Sequence, residues 1–386
     1  MNSFPPHTSP QVARRPQGSV EKNSLTLTRQ LTDRDFEQVV LCRDPASGLE
    51  SVIAVHDTTL GPSLGGIRLR AYPSQDAAVA DALDLAEAMT YKAALAGLEL
   101  GGGKSVINAD PNSPRRRELL AAHARYIGAL GGRYIPAVDM GTTTEDLELV
   151  GRYVPTVASH RRDPSYFTAR GVVASIRAAI DLTRGTDLRG VHVAVQGLGH
   201  VGRHVVAMLA EEGARLTVGD IDAERVRAVR ERFEVTAVPA EDVLVTDADV
   251  VCPCAGGAAI TEPVLDRLKA RHVIGAANNV LADRGLAGAL GDRGIVHVPD
   301  FVANAGGLIA CEAELRGDDS GTLDRVEGIG DTAVEILRRA RRTGTDSVSV
   351  ALELARARLT SRRSGRPWFP SAPDGQPTGG SAGSGS

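Results

Sequence analysis

Two lysines are the first candidates for chemistry, because this chain otherwise uses arginine for positive charge. Of its 44 basic residues only four are lysines, namely Lys22, Lys92, Lys104 and Lys269. Guanidinium stays protonated, whereas a lysine that is desolvated or placed near another cation can lose its proton. For Lys22 and Lys269, an ordinary surface position is as good an explanation as a chemical role. Lys104 stands between three glycines and an apolar pair, which argues against a surface role.

The glycines before Lys104 indicate that the main chain comes close to another group there. Gly101, Gly102 and Gly103 have no Cβ, so Lys104 is expected to point into the space that they leave. The apolar spacing upstream predicts a helix over about 75–96, which carries Lys92. The next strand is expected to start after Lys104.

A carboxylate is predicted at the end of a nearby strand. Residues 134–139 form a short strand pattern that ends in Asp139, and another helix is expected to begin at Thr144. A carboxylate in this position can stabilise a cationic intermediate and receive protons. The competing interpretation is that Asp139 only caps the helix that follows Thr142.

A dinucleotide site is predicted from a G-x-G-x-x-G motif made by Gly197, Gly199 and Gly202. The motif follows a buried strand over 191–196 and opens a helix, which is the context that the fingerprint requires. Gly197 makes the tight turn, Gly199 admits the pyrophosphate, and Gly202 lets helix and strand pack. The helix N-terminus supplies N–H donors to the phosphates. The competing interpretation is a glycine turn without a ligand.

The cofactor preference is predicted from the acid that follows this motif. Asp220 lies 18 residues after Gly202, at the end of the next strand. Its carboxylate is expected to bind the adenosine ribose and to repel a 2′-phosphate, which favours NAD over NADP. Asp222, Arg225 and Arg227 lie close enough in sequence to weaken that preference.

The elements that must position these residues predict an α/β fold. A hairpin over 38–42 and 50–56 indicates a mixed sheet in an N-terminal α/β substrate domain, while alternating strands and helices after 191 predict a doubly wound, Rossmann-type NAD domain, with a cleft between the two. The expected ranges are a disordered segment 1–23, a substrate domain 24–160 to which the last helix (about 345–363) returns, a dinucleotide domain 161–344, and a disordered tail 364–386. Further helices are predicted over 114–130, 169–182 and 322–342, and short strands over 236–238, 273–276 and 294–298.

Composition excludes several classes of function. At 386 residues two domains are the expectation, and 42% hydrophobic residues suffice for their cores. Aromatic residues at 3% and a net charge of −4 argue against nucleic-acid or membrane-surface partners. Four scattered cysteines predict no disulfide framework, the Cys252-Pro253-Cys254 spacing does not suit zinc, and we expect no metal. The absence of a membrane-length apolar run or a secretory signal pattern predicts a cytoplasmic protein.

Taken together, these motifs resemble the Glu/Leu/Phe/Val amino-acid dehydrogenase family, most of all its branched-chain (valine/leucine) members. The resemblance covers Glu37 to about Leu359 and rests on motifs in one order: Gly61-Pro-Ser-Leu-Gly-Gly66, Met89-Thr-Tyr-Lys92, Gly101-Gly-Gly-Lys104, Asp139-Met-Gly-Thr142, the glycine fingerprint, Pro253-Cys-Ala255, Ala276-Ala-Asn-Asn279 and Pro299-Asp-Phe-Val-Ala-Asn-Ala-Gly-Gly307.

The resemblance implies a reversible oxidative deamination of an L-amino acid by NAD, which yields a 2-oxo acid and ammonium. By position, Lys92 binds the substrate carboxylate, Lys104 is the general base that activates water, and Asp139 shuttles protons. The resemblance also places the remaining site residues. The substrate is contacted by Gly65, Gly66 and Asn279, its side chain by Leu64, Ala137, Leu308 and Cys311, and the nicotinamide half by Thr168, Ala255 and Asn278. A homo-oligomer is expected as well.

Three functions stay open at this point. An apolar pocket favours valine, leucine or isoleucine, and one methylene is too little to choose among them. The small Ala137 and Cys311 leave room for an aromatic substrate such as phenylalanine or tryptophan. A non-catalytic NAD-binding regulator is the third possibility, against which the retention of Lys92 and Lys104 speaks. The chain departs from the family in a short, charged segment over 159–165 and in Phe167 and Arg170, which flank Thr168 near the hinge.

Overall fold

The computed structural model describes residues 20–158 and 163–363. Helix α1 covers Val20–Asp33, so the last four residues of the segment 1–23 are helical and the prediction of disorder is wrong for them. The rest of that segment, the predicted tail 364–386 and four residues of the charged connector (159–162) lie outside the described residues.

The N-terminal part is built on a five-stranded mixed sheet in the order β1-β2-β4-β3-β5. Strands β1 and β2 are the predicted antiparallel hairpin, and β3 runs parallel to both of its neighbours, β4 and β5. The strands are β1 (Gln38–Asp44), β2 (Leu49–Asp57), β3 (Ser63–Arg70), β4 (Gly101–Asn108) and β5 (Tyr134–Val138). The central position of β3 is what places its side chains between those of β4 and β5.

Three helices complete this part: α2 (Gln75–Leu95), α3 (Arg116–Gly128) and α4 (Thr144–Val150). Helix α2 begins where predicted, because the Ser74 side chain accepts a hydrogen bond from the Ala77 N–H. Its buried alanines and leucine pack on the sheet and leave Lys92 in its last turn. The helix therefore delivers Lys92 to the end of the sheet at which β4 begins.

The second sheet is six-stranded and entirely parallel, in the order β11-β10-β9-β6-β7-β8. This order is that of a doubly wound dinucleotide fold, whose strand order reverses between β6 and β9. Its elements are α5 (Pro164–Arg184), β6 (His192–Gln196), α6 (His200–Glu211), β7 (Arg215–Gly219), α7 (Ala223–Arg230), β8 (Thr236–Ala237), a 3₁₀ turn (Val243–Val245), β9 (Val250–Pro253), α8 (Glu262–Arg267), β10 (His272–Val273), α9 (Leu286–Asp292) and β11 (Val296–His297). The predicted fold class is confirmed.

Five helices end the described chain: α10 (Asp300–Ala303), α11 (Gly306–Arg316), α12 (Thr322–Glu327), α13 (Ile329–Thr343) and α14 (Ser347–Arg363). Helix α14 returns to the N-terminal part, where Ala355 and Leu359 share an apolar cluster with Tyr91 and Ala94 of α2. Within the part of the chain that is described, none of the helices is long and apolar enough to span a membrane. The four cysteines are free thiols.

Several predicted boundaries are wrong, each for a local reason. The predicted helix 322–342 is two helices, α12 and α13, which meet at Gly328. Helix α5 starts five residues earlier than predicted because Asp163 caps it and Pro164 suits its first turn. The outer strands β8, β10 and β11 are only two residues long, shorter than predicted.

Strand β4 starts at Gly101, before Lys104 and not after it. The three glycines are part of the strand, and they admit neighbouring protein main chain and side chains. A Cβ on Gly102 would lie 2.1 Å from the Thr90 backbone nitrogen of α2, and one on Gly103 would lie 2.8 Å from the Tyr134 ring. The glycines thus let α2 and β5 approach β4 closely enough to hold Lys92 and Lys104 together.

This close approach makes a stability prediction. Gly102→Ala forces a methyl group against rigid backbone and is expected to lower the free energy of unfolding by at least ~2 kcal/mol. Gly288→Ala adds the same methyl group in helix α9, where nothing lies within 4 Å, and is expected to be neutral or to stabilise by up to ~1 kcal/mol. Chemical denaturation of both variants at equal subunit concentration measures this, and an unaffected Gly102→Ala variant would contradict the packing described.

Candidate active site

The centre of the site is a buried ion pair between Lys104 and Asp139. Lys104 Nζ lies 2.8 Å from Asp139 Oδ2, and the lysine is only 6% exposed. Strand β4 carries Lys104, and Asp139 directly follows β5, on the other side of β3. Gly66 of β3 leaves the room, since a Cβ there would lie 2.5 Å from the Asp139 Cβ. Gly65 instead accommodates β4, because its Cβ would meet the Gly103 carbonyl oxygen at 1.8 Å.

Arg68 of β3 completes this centre. The sequence pattern did not identify it as a site residue. Its Nε lies 2.8 Å from the same Asp139 Oδ2, and its Nη1 lies 2.9 Å from Asp81 Oδ2. Tyr72 donates a hydrogen bond to that Asp81 oxygen. The available signal was the strand alternation, which puts Arg68 on the same face as Gly66. Asp139 therefore lies between two cations that neighbouring strands supply.

The electrostatics of the pair make the lysine easier to deprotonate and keep the acid ionised. Burial lowers the pKa of Lys104, and the nearby Arg68 charge lowers it further, while Asp139 opposes both. Burial alone would raise the pKa of Asp139, but the charges and hydrogen bonds of Lys104 and Arg68 outweigh it and hold that pKa below its usual value. A base next to a carboxylate is the resulting chemistry.

Lys92 is the second lysine of the site. Burial, together with the Lys104 charge, lowers the pKa of Lys92 to about 8, and the Asp300 carboxylate opposes this shift. Asp300 in turn accepts a hydrogen bond from the backbone N–H of Asn279. Asp300, to which the sequence pattern alone assigns no role, therefore interacts electrostatically with Lys92 and accepts a hydrogen bond from the loop after β10.

The competing role for Asp139 is excluded by the start of α4. Thr143 caps that helix: its side chain accepts a hydrogen bond from the Asp146 N–H, and the Asp146 carboxylate accepts one from the Thr143 N–H. Asp139 takes no part in this capping box, and its own N–H donates to Thr142 Oγ1 at 2.9 Å. Its carboxylate is left for Lys104 and Arg68.

An apolar wall adjoins the charged centre. The four residues predicted for the substrate side chain are all buried in one hydrophobic cluster that joins the two parts of the chain: Leu64, Ala137, Leu308 and Cys311. Burial raises the pKa of the Cys311 thiol to about 12, so the thiol stays neutral. None of the four side chains of this wall carries a charge.

The glycine fingerprint has the geometry that a dinucleotide needs. Gly197 adopts a φ of +91°, which side-chain-bearing residues rarely adopt. A Cβ on Gly202 would lie 1.9 Å from the Gly197 carbonyl oxygen, whereas around Gly199 the nearest atom is an arginine Nη1 at 3.9 Å. The loop is thus tight where helix α6 packs and open where a phosphate would approach the helix N-terminus.

Asp220 closes this loop. Its two carboxylate oxygens accept hydrogen bonds from the backbone N–H groups of Leu198, at 2.6 Å, and Asp222, at 2.8 Å. Arg225 Nη1 lies 3.7 Å from Asp220, and its Nε lies 3.2 Å from Asp222. Arg227 instead pairs with Glu224 and Glu231 on its own helix.

Asn278, one of the predicted nicotinamide residues, lies beside an unused acceptor of Asn304. The Asn304 Nδ2 donates to the Ala276 carbonyl at 3.1 Å and to Asn278 Oδ1 at 3.0 Å. Its Oδ1 is buried and has no hydrogen-bond partner among the described residues. A buried acceptor of this kind fits a ligand N–H donor such as a carboxamide.

The remaining predicted residues lie in loops after strands of the second sheet or on α5: Ala255 follows β9, Asn279 follows β10, and Thr168 is in α5. Ala255 packs against Gly197, and Asn279 is exposed with a φ of +54°. Thr168 is anchored through its hydroxyl to the Pro164 carbonyl at 2.9 Å and lies against Gly307. Gly307 lies in the first turn of α11, the helix that carries Leu308 and Cys311, so Thr168 touches the segment that forms the apolar wall.

The two departures that flank Thr168 are structural. Arg170 donates to Glu327 at 2.6 Å and to the Tyr166 hydroxyl at 3.2 Å, which ties α5 to α12. Phe167 is buried edge-on to Tyr166. Neither side chain takes over the contacts that Thr168 makes with Pro164 and Gly307.

Models of one protein family match nearly all of the described chain. Residues 36–154 match the Glu/Leu/Phe/Val dehydrogenase dimerisation domain. Residues 160–224 and 216–349 match the Glutamate/Leucine/Phenylalanine/Valine dehydrogenase domain. The boundary between the two matches falls at the connector between the two sheets.

Individual relatives agree with this match. Leucine dehydrogenase of Bacillus subtilis (strain 168) is 42% identical over 353 residues, which cover 89% of this chain and 97% of that protein. Valine dehydrogenase of Streptomyces albus is 43% identical over 344 residues, 86% of this chain and 94% of that protein. The crystal structure of L-tryptophan dehydrogenase from Nostoc punctiforme superposes with a TM-score of 0.79 at 35% identity, covering 87% of this chain and 99% of that one.

The carboxylate of Asp139, which Lys104 and Arg68 share, leads to a prediction about the pH dependence of activity. Arg68 lowers the pKa values of both Asp139 and Lys104, so Arg68→Gln is expected to raise both. Because both groups act deprotonated, the acid limb of the profile of kcat/KM against pH moves to higher pH. Arg70→Gln, on the same strand but exposed, is the control and leaves the limb in place. An acid limb that stays put or moves to lower pH in Arg68→Gln contradicts the assignment.

Proposed function

The chain belongs to the Glu/Leu/Phe/Val dehydrogenase family and is an amino-acid dehydrogenase, and we propose that it deaminates a branched-chain L-amino acid (valine, leucine or isoleucine) reversibly with NAD. The products are the 2-oxo acid and ammonium. One observation carries the proposal: the Lys104–Asp139 pair, 2.8 Å apart, is held by strands whose neighbouring residues Leu64 and Ala137 belong to the buried apolar cluster that also contains Leu308 and Cys311. The leucine and valine dehydrogenases that resemble this chain support the aliphatic substrate.

The residues divide the chemistry as follows. Lys92 holds the substrate carboxylate, which fixes Cα in front of the dinucleotide loop. The nicotinamide supplies the hydride acceptor for that Cα. Lys104, whose pKa is lowered by burial, removes the proton from the water that attacks the resulting iminium carbon. Asp139 stabilises the positive charge on the substrate nitrogen, and it passes the proton that Lys104 took from water to that nitrogen, which then leaves as ammonia.

We assign NAD as the cofactor from the adenosine end of the site. Gly197, Gly199 and Gly202 hold the pyrophosphate, and Asp220 lies where the ribose hydroxyls arrive. A 2′-phosphate would approach the Asp220 carboxylate, whose side chain is only 5% exposed, and repulsion between the two anions favours NAD. Thr168, Ala255, Asn278 and the unpaired Asn304 oxygen would hold the nicotinamide half.

An aromatic substrate is the second candidate. Ala137 and Cys311 are small, and the tryptophan dehydrogenase of Nostoc punctiforme shares this architecture. A non-catalytic NAD-binding role is the third, and it is disfavoured because it would leave the buried Lys104 pair without a function. We further propose a homo-oligomer, supported by the dimerisation domain over residues 36–154, and a cytoplasmic location, supported by four free thiols.

Replacing Lys104 tests the assigned base. Lys104→Ala is expected to lower kcat about 10³-fold while NADH binding changes less than about threefold, because Arg68 still neutralises Asp139. Lys104→Arg keeps the charge but cannot lose its proton, so it should be equally inactive. Lys269→Ala, an exposed lysine, is the control. Full turnover in Lys104→Arg would refute the assigned base.

A substrate panel tests the specificity. Initial rates of NADH formation with valine, leucine, isoleucine, phenylalanine and tryptophan, each with NAD and NADP, are expected to favour the three aliphatic substrates and NAD. Repulsion of the 2′-phosphate should lower kcat/KM with NADP by about 100-fold, equivalent to about 2.7 kcal/mol. A preference for phenylalanine or tryptophan overturns the branched-chain assignment, and no turnover with any substrate supports the non-catalytic alternative.

A further inference from the structure

A polar cavity outside the active site joins the two parts of the chain. It encloses about 330 Å³, at the small end of the range for sites that bind small molecules. The residues that follow α2 line one side, the loop between α11 and α12 lines another, and the last turns of α14 close it. The lining residues are Gly97, Glu99, Arg316, Asp318, Ser320, Arg325, Arg358 and Arg362.

Positive charge exceeds negative charge in this cavity. Four arginines line it against two carboxylates, Glu99 and Asp318. A third carboxylate, the buried Glu312, holds two of these arginines, with Arg325 Nη1 at 2.8 Å and Arg316 Nη1 at 3.4 Å. Asp318 accepts hydrogen bonds from the Ser320 N–H and hydroxyl. The α11–α12 side is therefore preformed by internal pairing.

The α14 side carries the uncompensated charge. Arg358 donates to the Ala94 carbonyl at 2.8 Å and the Leu98 carbonyl at 3.1 Å, which satisfies the end of α2. Arg362 lies one turn further along and forms no ion pair with any residue in the described ranges. Burial lowers the pKa of Arg358 and the Arg362 charge lowers it further, while the Glu99 carboxylate only partly opposes both. Two neighbouring guanidiniums thus repel each other at a site open to an anion.

We propose that this arginine cavity binds a small molecule through a phosphate or pyrophosphate group. Guanidinium forks match phosphate oxygens in geometry, and such charge-assisted bonds are stronger than neutral ones. An anion between Arg362, Arg325 and Arg316 relieves the repulsion on α14 and links it to the α11–α12 loop. The assignment is independent of the proposed reaction, because none of these arginines belongs to the lysine centre or the glycine fingerprint.

The position of the cavity connects it to substrate binding. Helix α11 carries Glu312 and Arg316 at one end and Leu308 of the apolar wall at the other. The residues after Gly97 lead directly into β4 and Lys104. An occupant that joins α14 to α11 fixes the two sheets relative to each other, so it is expected to change the KM for the amino acid more than it changes NADH binding. This expectation, unlike the binding itself, rests on the proposed function.

Calorimetry of the full chain with sodium pyrophosphate tests the site. Saturating NADH is added first to fill the dinucleotide loop, and sodium chloride at equal ionic strength is the reference. Saturable binding with a Kd below about 1 mM is expected, weakened at least tenfold in Arg362→Glu. Arg152→Glu makes the same charge change at an exposed residue outside the cavity and is expected to bind as the wild type does. A second titration with ATP shows whether the phosphate group belongs to a nucleotide or to an inorganic anion. Binding of both ligands indicates a nucleotide, and binding of pyrophosphate alone indicates an inorganic anion.

Two results overturn the proposal: no saturable binding of pyrophosphate by the wild type, or equal affinity in the wild type and Arg362→Glu. A folding defect is recognised separately by the thermal unfolding temperature, and Arg362→Gln then replaces the charge reversal. Failure of NADH to bind counts against the proposed reaction and not against this site, because the Arg362 comparison is unaffected by it.

Discussion

The structure depends on one constraint, which is that the half-buried carboxylate of Asp139 must be compensated where three parallel strands meet. Asp139 accepts from Lys104 and Arg68 at 2.8 Å each. A buried charge without such partners costs several kcal/mol, so the strand order that puts β3 between β4 and β5 is also what makes the acid possible. The second cation keeps Asp139 ionised even when Lys104 is neutral. A base and a carboxylate can therefore coexist in a place from which water is largely removed.

The rest of the molecule serves this centre. The glycines of β4 let α2 come close enough to bring Lys92 beside Lys104, and helix α11 supplies Leu308 and Cys311 to the adjoining apolar wall. Across the wall, the reversal of strand order in the parallel sheet puts the open loop at Gly199 where a dinucleotide binds. Polar chemistry is confined to one end of an otherwise apolar site, which agrees with a substrate whose side chain is aliphatic.

Much of this could be predicted from local sequence patterns. The glycine fingerprint, the cap at Ser74 and the strand before Asp139 are short-range signals, and each element formed near its predicted place. Arg68 and Asp300 could not be assigned, because their roles depend on which strand lies beside which, and that is a long-range property. The glycines before Lys104 do bring the main chain close to other groups, as predicted, but which groups could not be predicted for the same reason: they are a helix and a ring from elsewhere in the chain. Breaks such as Gly328 between α12 and α13 depend on tertiary packing that propensity does not contain.

The central claim is that Lys104 loses its proton below the ordinary lysine pKa of ~10.4, because the residue is buried. The chain has only four lysines, so biosynthetic ¹³Cε-lysine labelling yields four NMR signals that can be assigned by substitution and titrated directly. The account predicts that the Lys104 signal titrates below that ordinary value, and that the Lys92 signal has its midpoint near 8. A Lys104 signal that stays in its protonated position up to pH 10.4 would contradict the account.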